Sequence, residues 1–216
     1  MKPFLKIAAP PEGMPTYSDD FADDLARVTP GADGYSVEDF LKSDGSYRIE
    51  FVDGWIEIPP WVTGIHQELV GFMSQALREW TDRDGAARTV QGPFFIRLSE
   101  TLWRNPDVSV MLGRHRARRH PMYWEAADLV VEIVGDDNPE HDRITKRAEY
   151  ADAGIPEYWI VDPADESVTV LTLPVSGDRV YAEHSRFVRG QIAAGRVLNG
   201  FAVDVSVLFD TAREWA

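Results

Sequence analysis

Apolar and polar residues alternate along this chain in two different periods, and the changes of period mark its elements. Ile65, Leu69, Phe72, Met73, Ala76, Leu77 and Trp80 recur at helical spacing, which predicts an amphipathic helix from Thr63 to near Asp84-Gly85. Three strand candidates follow, RTVQGPFFIRL, PDVSVML and ADLVVEIV. A second helix is expected next, with Asn138 as N-cap, Pro139 in its first turn, and Gly154 then Pro156 closing it. EYWIVD reads as the strand after it, and SVTVLTL, DRVYAEH and VDVSVLFD as further strands. Upstream, Ser36 is the expected N-cap of a short helix in YSVEDFLKSD. Asp53-Gly54 turns the hairpin YRIEFVDGWIEI. Residues 1–35 are rich in Pro, Asp and Gly around one helix-like stretch, SDDFADDLARV, and read as an N-terminal arm. Residues 36–216 read as one α/β (α+β) domain: a mixed β-sheet flanked by helices, with an N-terminal hairpin and a C-terminal β extension.

One position breaks the pattern. Period two places Val130, Glu132 and Val134 on one face of the strand in ADLVVEIV and Leu129, Val131 and Ile133 on the other. Both faces are otherwise apolar, so this is a central strand with a carboxylate inside it. An ionised carboxylate taken out of water costs several kcal/mol unless a cation or donors meet it. Asp107, directly after Pro106 where the preceding strand begins, supplies a second carboxylate if the two strands pair. Two adjacent carboxylates repel unless a proton or a metal ion sits between them, and a hard divalent cation, Mg²⁺ or Mn²⁺, suits an all-oxygen pair. On the following helix Asp142, Lys146 and Tyr150 fall at i, i+4 and i+8 and share a face, from which Lys146 can reach the acids. The face carrying Ile144, Ala148, Ala151 and Ile155 is expected to pack on the sheet. Asp, Glu, Lys and a divalent metal are sufficient parts for metal-assisted phosphodiester hydrolysis.

Composition narrows the classes. The chain of 216 residues is long enough for one sizeable core, and it has no cysteine, so disulfides, thiolate metal sites and cysteine nucleophiles are excluded. No apolar run approaches the ~20 residues that span a bilayer, and prolines interrupt the N-terminus where a signal peptide would need an apolar run, so a cytoplasmic protein is expected. The net charge of −14 argues against non-specific coating of nucleic acid. The charge is uneven: residues 1–60 hold 12 acids and five bases, whereas residues 104–119 hold five arginines and one acid. Arg114, Arg116, Arg118 and Arg119 thus form a basic loop able to meet a nucleic-acid backbone.

NPDVSV, ADLVVEIV and HDRITKRAEYADAGIPEYWIVDP together resemble the Uma-type putative restriction endonuclease family, a branch of the PD-(D/E)XK nuclease superfamily. The hairpin YRIEFVDGWIEI, the helix start HQELV and the terminal VDVSVLF resemble it as well, so the likeness runs over about residues 35–210. It implies a restriction-endonuclease-like fold, a Mg²⁺- or Mn²⁺-dependent endonuclease acting on DNA, an acid pair at Asp107 and Glu132, and Lys146 as the catalytic lysine. The superfamily's strand lysine would stand two residues after the glutamate, where this chain has Val134; in this family the lysine comes from the next helix. Glu50 lies on the hairpin and by the same likeness lines the cleft. A restriction role would call for a homodimer.

Plainer readings stand beside these. Glu132 can be a structural glutamate paired with Arg or Lys, Asp107 a turn residue, and Asp142–Lys146 an ion pair on a solvated helix face. Glu50 can be an exposed strand glutamate, and His66, near the start of the long helix, a structural histidine rather than a metal or phosphate ligand. The arginine loop can be merely solvated. Two other functions fit the same residues: a non-catalytic module that binds a basic partner through the acidic arm, and a metal hydrolase of small phosphodiesters.

Overall fold

In the computed structural model the described residues are 5–7, 34–42, 48–59, 62–135 and 138–215. The helix-like stretch expected at 18–28 lies outside them. The strands of the N-terminal half are β1 (Leu5–Ile7), β2 (Glu50–Val52), β3 (Trp55–Ile58), β4 (Arg88–Gln91), β5 (Phe95–Arg97), β6 (Leu102–Arg104) and β7 (Val108–Met111). Those that follow are β8 (Tyr123–Glu125), β9 (Leu129–Ile133), β10 (Glu157–Asp162), β11 (Ser167–Thr172), β12 (Ala182–Val188), β13 (Ile192–Ala194) and β14 (Ala202–Asp204). The helices are α1 (Val37–Leu41), α2 (Gly64–Asp84), α3 (Arg147–Asp152) and α4 (Val205–Asp210).

Two six-stranded sheets result. The central sheet has the order β12-β11-β10-β9-β7-β4, in which only β9 and β10 run parallel. The hairpin sheet has the order β1-β3-β2-β6-β5-β8. The fold is therefore α/β with mixed sheets flanked by helices, as the sequence predicts, and β9 is an interior strand buried along its whole length. Its two faces feed two cores. Leu129, Val131 and Ile133 pack with Leu69, Met73 and Leu77 of α2 and with Leu208 of α4. Val130 and Val134 pack with Tyr150, Ala151 and Tyr158. Each large aliphatic side chain buried in this way contributes about 1.5–3 kcal/mol.

The local signals act where expected. Ser36 caps α1 with a capping box closed by Asp39. Thr63 caps α2, accepting from His66 N–H at 3.2 Å, and Gly85 ends it at φ 74°. Asp53 and Gly54 turn the hairpin at φ 47° and 82°, the pair of positive values that a two-residue turn between twisted strands requires.

Four expectations change. RTVQGPFFIRL is not one strand: the chain leaves the central sheet after β4, passes a cis Gly92–Pro93 bond, and enters the hairpin sheet as β5. Ile144 and Ala148 do not pack on the sheet. Residues 141–146 form a π-helical turn, whose extra residue per turn rotates the following face, so Asp142, Lys146 and Tyr150 point inward with Ala151 and Ile155 while Ile144 is 62% exposed. VDVSVLFD stops being strand at Asp204, whose side chain accepts from Ser206 N–H and Val207 N–H and starts α4. DRVYAEH is strand only from Ala182, and Tyr181 is instead drawn into the core with its hydroxyl donating to Ile155 O at 2.7 Å. The strand signal in residues 5–7 is additional: β1 pairs in parallel with β3, so part of the expected arm belongs to the hairpin sheet.

The hairpin sheet has its own core, in which Phe40, Phe51, Phe95 and Trp103 meet. It touches the central sheet in two ways. Ile96 and Trp124 pack on Met111 at the C-terminal end of β7. At the other end of β7, charged side chains meet instead, and that is where the acid pair lies.

Candidate active site

β7 and β9 are antiparallel, with Val108 opposite Val131, so the residue before β7 and the next-to-last residue of β9 come together. Asp107 N–H approaches Glu132 Oε2 at 3.4 Å, and Ile133 N–H donates to Asp107 Oδ2 at 2.8 Å. Asp107 is 4% exposed and Glu132 1%. The π turn brings Lys146 onto the same point: its Nζ lies 3.0 Å from Glu132 Oε1 and 2.9 Å from Asp142 Oδ1. Tyr150 hydroxyl donates to Glu132 Oε1 at 2.6 Å, and Tyr158 hydroxyl donates to Asp142 O at 2.9 Å. The Asp142–Lys146 pair is thus buried rather than on a solvated helix face. Val134, where the superfamily has its strand lysine, is a core residue.

Burial alone would push both acids up, and their surroundings split them. For Asp107, the groups Arg48, His66 and Lys146 together outweigh burial and hold the carboxyl well below the usual range. For Glu132 burial wins over Lys146, and the nearby charges of Asp107 and Asp142 add to it, so its carboxyl is pushed up to about 8. Lys146 shows the complementary balance: burial disfavours its charge, but Glu132 and Asp142 overcompensate and keep the ammonium.

Glu50, at the start of β2, is 3% exposed and faces this site rather than solvent. Its Oε2 accepts from Arg104 Nη1 at 2.6 Å, and its Oε1 accepts from Asn105 N–H at 3.1 Å. Burial pushes this carboxyl up, but Arg104 first, with Lys146, the Asn105 N–H and Arg48, together outweigh it and lower the carboxyl to about 2. Arg104 also reaches Glu57 at 3.2 Å and forks onto Glu149 at 2.6 and 2.8 Å, tying the hairpin sheet to α3. His66 Nε2 lies 3.2 Å from Asp107 Oδ2, and its Nδ1 is buried without a partner among the described residues.

Sequence reasoning passed over Arg48 and Arg104. Arg48 Nη2 donates to Asp107 Oδ1 at 2.8 Å from 59 residues away. The only trace of Arg104 in the sequence is a charge set between Trp103 and Asn105-Pro106. The arginine loop lies elsewhere. It follows β7, whereas Asp107 precedes it, which separates the two by about 13 Å of strand. Arg114 is turned onto buried Asp128 at 3.2 Å, and Arg119 donates to Met111 O and Ala86 O while lying over Trp124. Arg116 and Arg118 are exposed.

The donor chemistry fits a hard divalent cation. Among the described residues no three His, Asp or Glu side chains form a cation cage, but Mg²⁺ characteristically takes one or two carboxylates and completes its shell with water and phosphate oxygens. Asp107 and Glu132 offer such a pair.

A mixed central sheet flanked by helices, with the second sheet set against it, defines a restriction-endonuclease-like α/β fold. A family model described as Uma2, Putative restriction endonuclease, matches residues 37–206, and the chain belongs to that family. Among solved structures the fold is similar to that of a putative nuclease of the DUF820 group from Anabaena variabilis, with TM-score 0.65 and 16% identity over 82% of this chain and 99% of that one. The type IIG restriction endonuclease BpuSI overlaps at TM-score 0.37 and 15% identity, over 70% of this chain and 17% of its own, too loosely to carry an argument. No curated protein sequence matches. Among the described residues no helix is long and apolar enough to cross a membrane.

Proposed function

We propose that this protein is a cytoplasmic endonuclease that hydrolyses phosphodiester bonds of DNA with Mg²⁺ or Mn²⁺ held by Asp107 and Glu132. One observation carries the reading: two buried acids on neighbouring strands are brought together, the backbone N–H of Asp107 approaching Glu132 Oε2 at 3.4 Å, with a buried lysine 3.0 Å from the second. When bound, the ion neutralises charge on the phosphoryl oxygens and makes a water more acidic. The chain's own residues do the rest. Lys146 has three N–H donors; Glu132 and Asp142 take two, and the third is left to orient the attacking water or to meet a phosphoryl oxygen as charge grows on it. Tyr150 fixes the rotamer of Glu132, and Asp142 is the second acid that holds Lys146. Glu50, kept ionised by Arg104, adds negative charge that favours a cation in the cleft. Exposed Arg116 and Arg118 would meet backbone phosphates beyond the site. Cutting both strands of a duplex would take two copies of the site, hence a homodimer.

The test is cleavage of supercoiled, linear and single-stranded DNA with Mg²⁺ or Mn²⁺. Asp107→Asn, Glu132→Gln and Lys146→Met should each lower the rate at least about 100-fold while circular dichroism shows the fold retained. No cleavage by the wild type, or undiminished cleavage by Glu132→Gln, would overturn the reading.

A further inference from the structure

The acid pair has little acceptor capacity left, and what is left is in two places. A carboxylate oxygen offers two lone pairs. Asp107 Oδ2 spends both, on Ile133 N–H at 2.8 Å and His66 Nε2 at 3.2 Å. Glu132 Oε1 spends both, on Tyr150 hydroxyl at 2.6 Å and Lys146 Nζ at 3.0 Å. Glu132 Oε2 receives only the long 3.4 Å contact from Asp107 N–H. Asp107 Oδ1 receives one donor, Arg48 Nη2 at 2.8 Å. A cation shared by the two acids would therefore take Asp107 Oδ1 and Glu132 Oε2, and Arg48 stands on the first of these.

Arg48 also differs from the other cations of the site. The Lys146 side chain is 6% exposed and clamped between two acids. The Arg104 side chain is 2% exposed and tied to three. Arg48 makes one ion pair among the described residues, and its side chain is 29% exposed, so it is partly open to solvent. The fields of Asp107, Glu132, Glu50 and Asp142 all fall on it, and they would fall equally on a divalent ion. A guanidinium is weakly hydrated and shaped to grip phosphate with two parallel N–H donors, so it has a second partner to go to.

We propose that Arg48 is an exchangeable counter-ion: it neutralises Asp107 Oδ1 until a divalent cation takes that oxygen, and the displaced guanidinium then grips a phosphate oxygen of the substrate. This rests on the metal reading above, and the experiment separates the two. Mn²⁺ binding to the full chain is measured calorimetrically without DNA for the wild type, Arg48→Gln, Arg48→Lys and Asp107→Asn. Removing the competing charge should make Arg48→Gln bind Mn²⁺ about tenfold tighter, Arg48→Lys should stay near wild type, and Asp107→Asn should not bind. With Ca²⁺ holding DNA uncut, the salt dependence of DNA affinity should lose about one phosphate contact in Arg48→Gln. Equal or weaker Mn²⁺ binding by Arg48→Gln, with binding still abolished in Asp107→Asn, makes Arg48 a structural brace and overturns the exchange alone. No Mn²⁺ binding by any variant overturns both readings. If Arg48→Gln does not fold, the wild type decides: the Arg48 guanidinium resonance, identified by its loss in Arg48→Lys, should shift with the same Mg²⁺ dependence as the Asp107 amide, and an unmoved guanidinium overturns the exchange.

Discussion

Replacing Arg104 with Met should cost roughly 3 kcal/mol of stability, and the structure gives that figure by two routes. Arg104 and Glu50 are 2% and 4% exposed in their side chains, with 2.6 Å between them, so solvent screens this pair little. Removing one partner of a buried ion pair generally costs about 3–5 kcal/mol. Independently, the Glu50 carboxyl is lowered from 4.5 to about 2, with Arg104 the largest of the groups that offset its burial, and that net difference amounts to roughly 3 kcal/mol of folding free energy at neutral pH. The contacts to Glu57 and Glu149 add less, because those carboxylates are 20% and 18% exposed. Since Glu50 is depressed in the folded state, its stabilisation is complete above its ordinary value and is lost as pH falls through about 2. The gap between wild type and Arg104→Met should therefore shrink by roughly 2 kcal/mol between pH 5 and pH 3. Urea unfolding of wild type, Arg104→Met, Glu50→Gln and the double variant measures all of this. The summed single losses should exceed the double loss by about 2 kcal/mol. A loss under about 1 kcal/mol, additive losses, or a gap that does not change with pH would refute the reasoning.

Three further outcomes follow from other parts of the molecule. A Cβ at position 195 would stand 1.9 Å from Glu157 Oε1, and Glu157 cannot swing away because Trp159 Nε1, Arg196 N–H and Val197 N–H all donate to it; Gly195→Ala should lose about 1–3 kcal/mol, and an unchanged thermal midpoint would count against this. Metal-free stability should fall as pH rises from about 4.5 to about 8, because Glu132, with its folded value raised to about 8, holds a proton there that the unfolded chain has released. Thermal unfolding in chelator should show this slope in wild type and not in Glu132→Gln, and equal slopes would show that another group is responsible. Asp128→Ala strips the fully buried acceptor from Leu112 N–H, His115 Nδ1 and Arg114; it should cost about 1–3 kcal/mol and speed amide exchange over residues 112–119, and unchanged exchange there would show that the loop is held otherwise.

What could be read beforehand depended on how local each signal was. Glu132 stood out because a period-two strand has only two faces and both were apolar, so a single carboxylate was conspicuous. Asp142, Lys146 and Tyr150 share a face whether the turn between them is α or π, which is why their grouping survived when that of Ile144 and Ala148 did not. The π turn itself has no marker in HDRITK. Arg48 and Arg104 acquire their meaning from partners 59 and 54 residues away, and before folding each is one arginine among many. The basic loop showed the reverse case: a dense local signal whose side chains turn partly inward onto Asp128 and the C-terminal end of β7. A split of RTVQGPFFIRL between two sheets could not be seen either, since both halves alternate correctly for a strand.

The two sheets meet as the covers of a book do. Their spine is hydrocarbon, Ile96 and Trp124 against Met111, and their fore-edge is a clasp of ions, Arg48 on Asp107 and Arg104 between Glu50 and Glu149. Parting the spine would put oil against water. Parting the clasp would hand charges back to a solvent that welcomes them, so the same solvent that seals one edge of the book loosens the other.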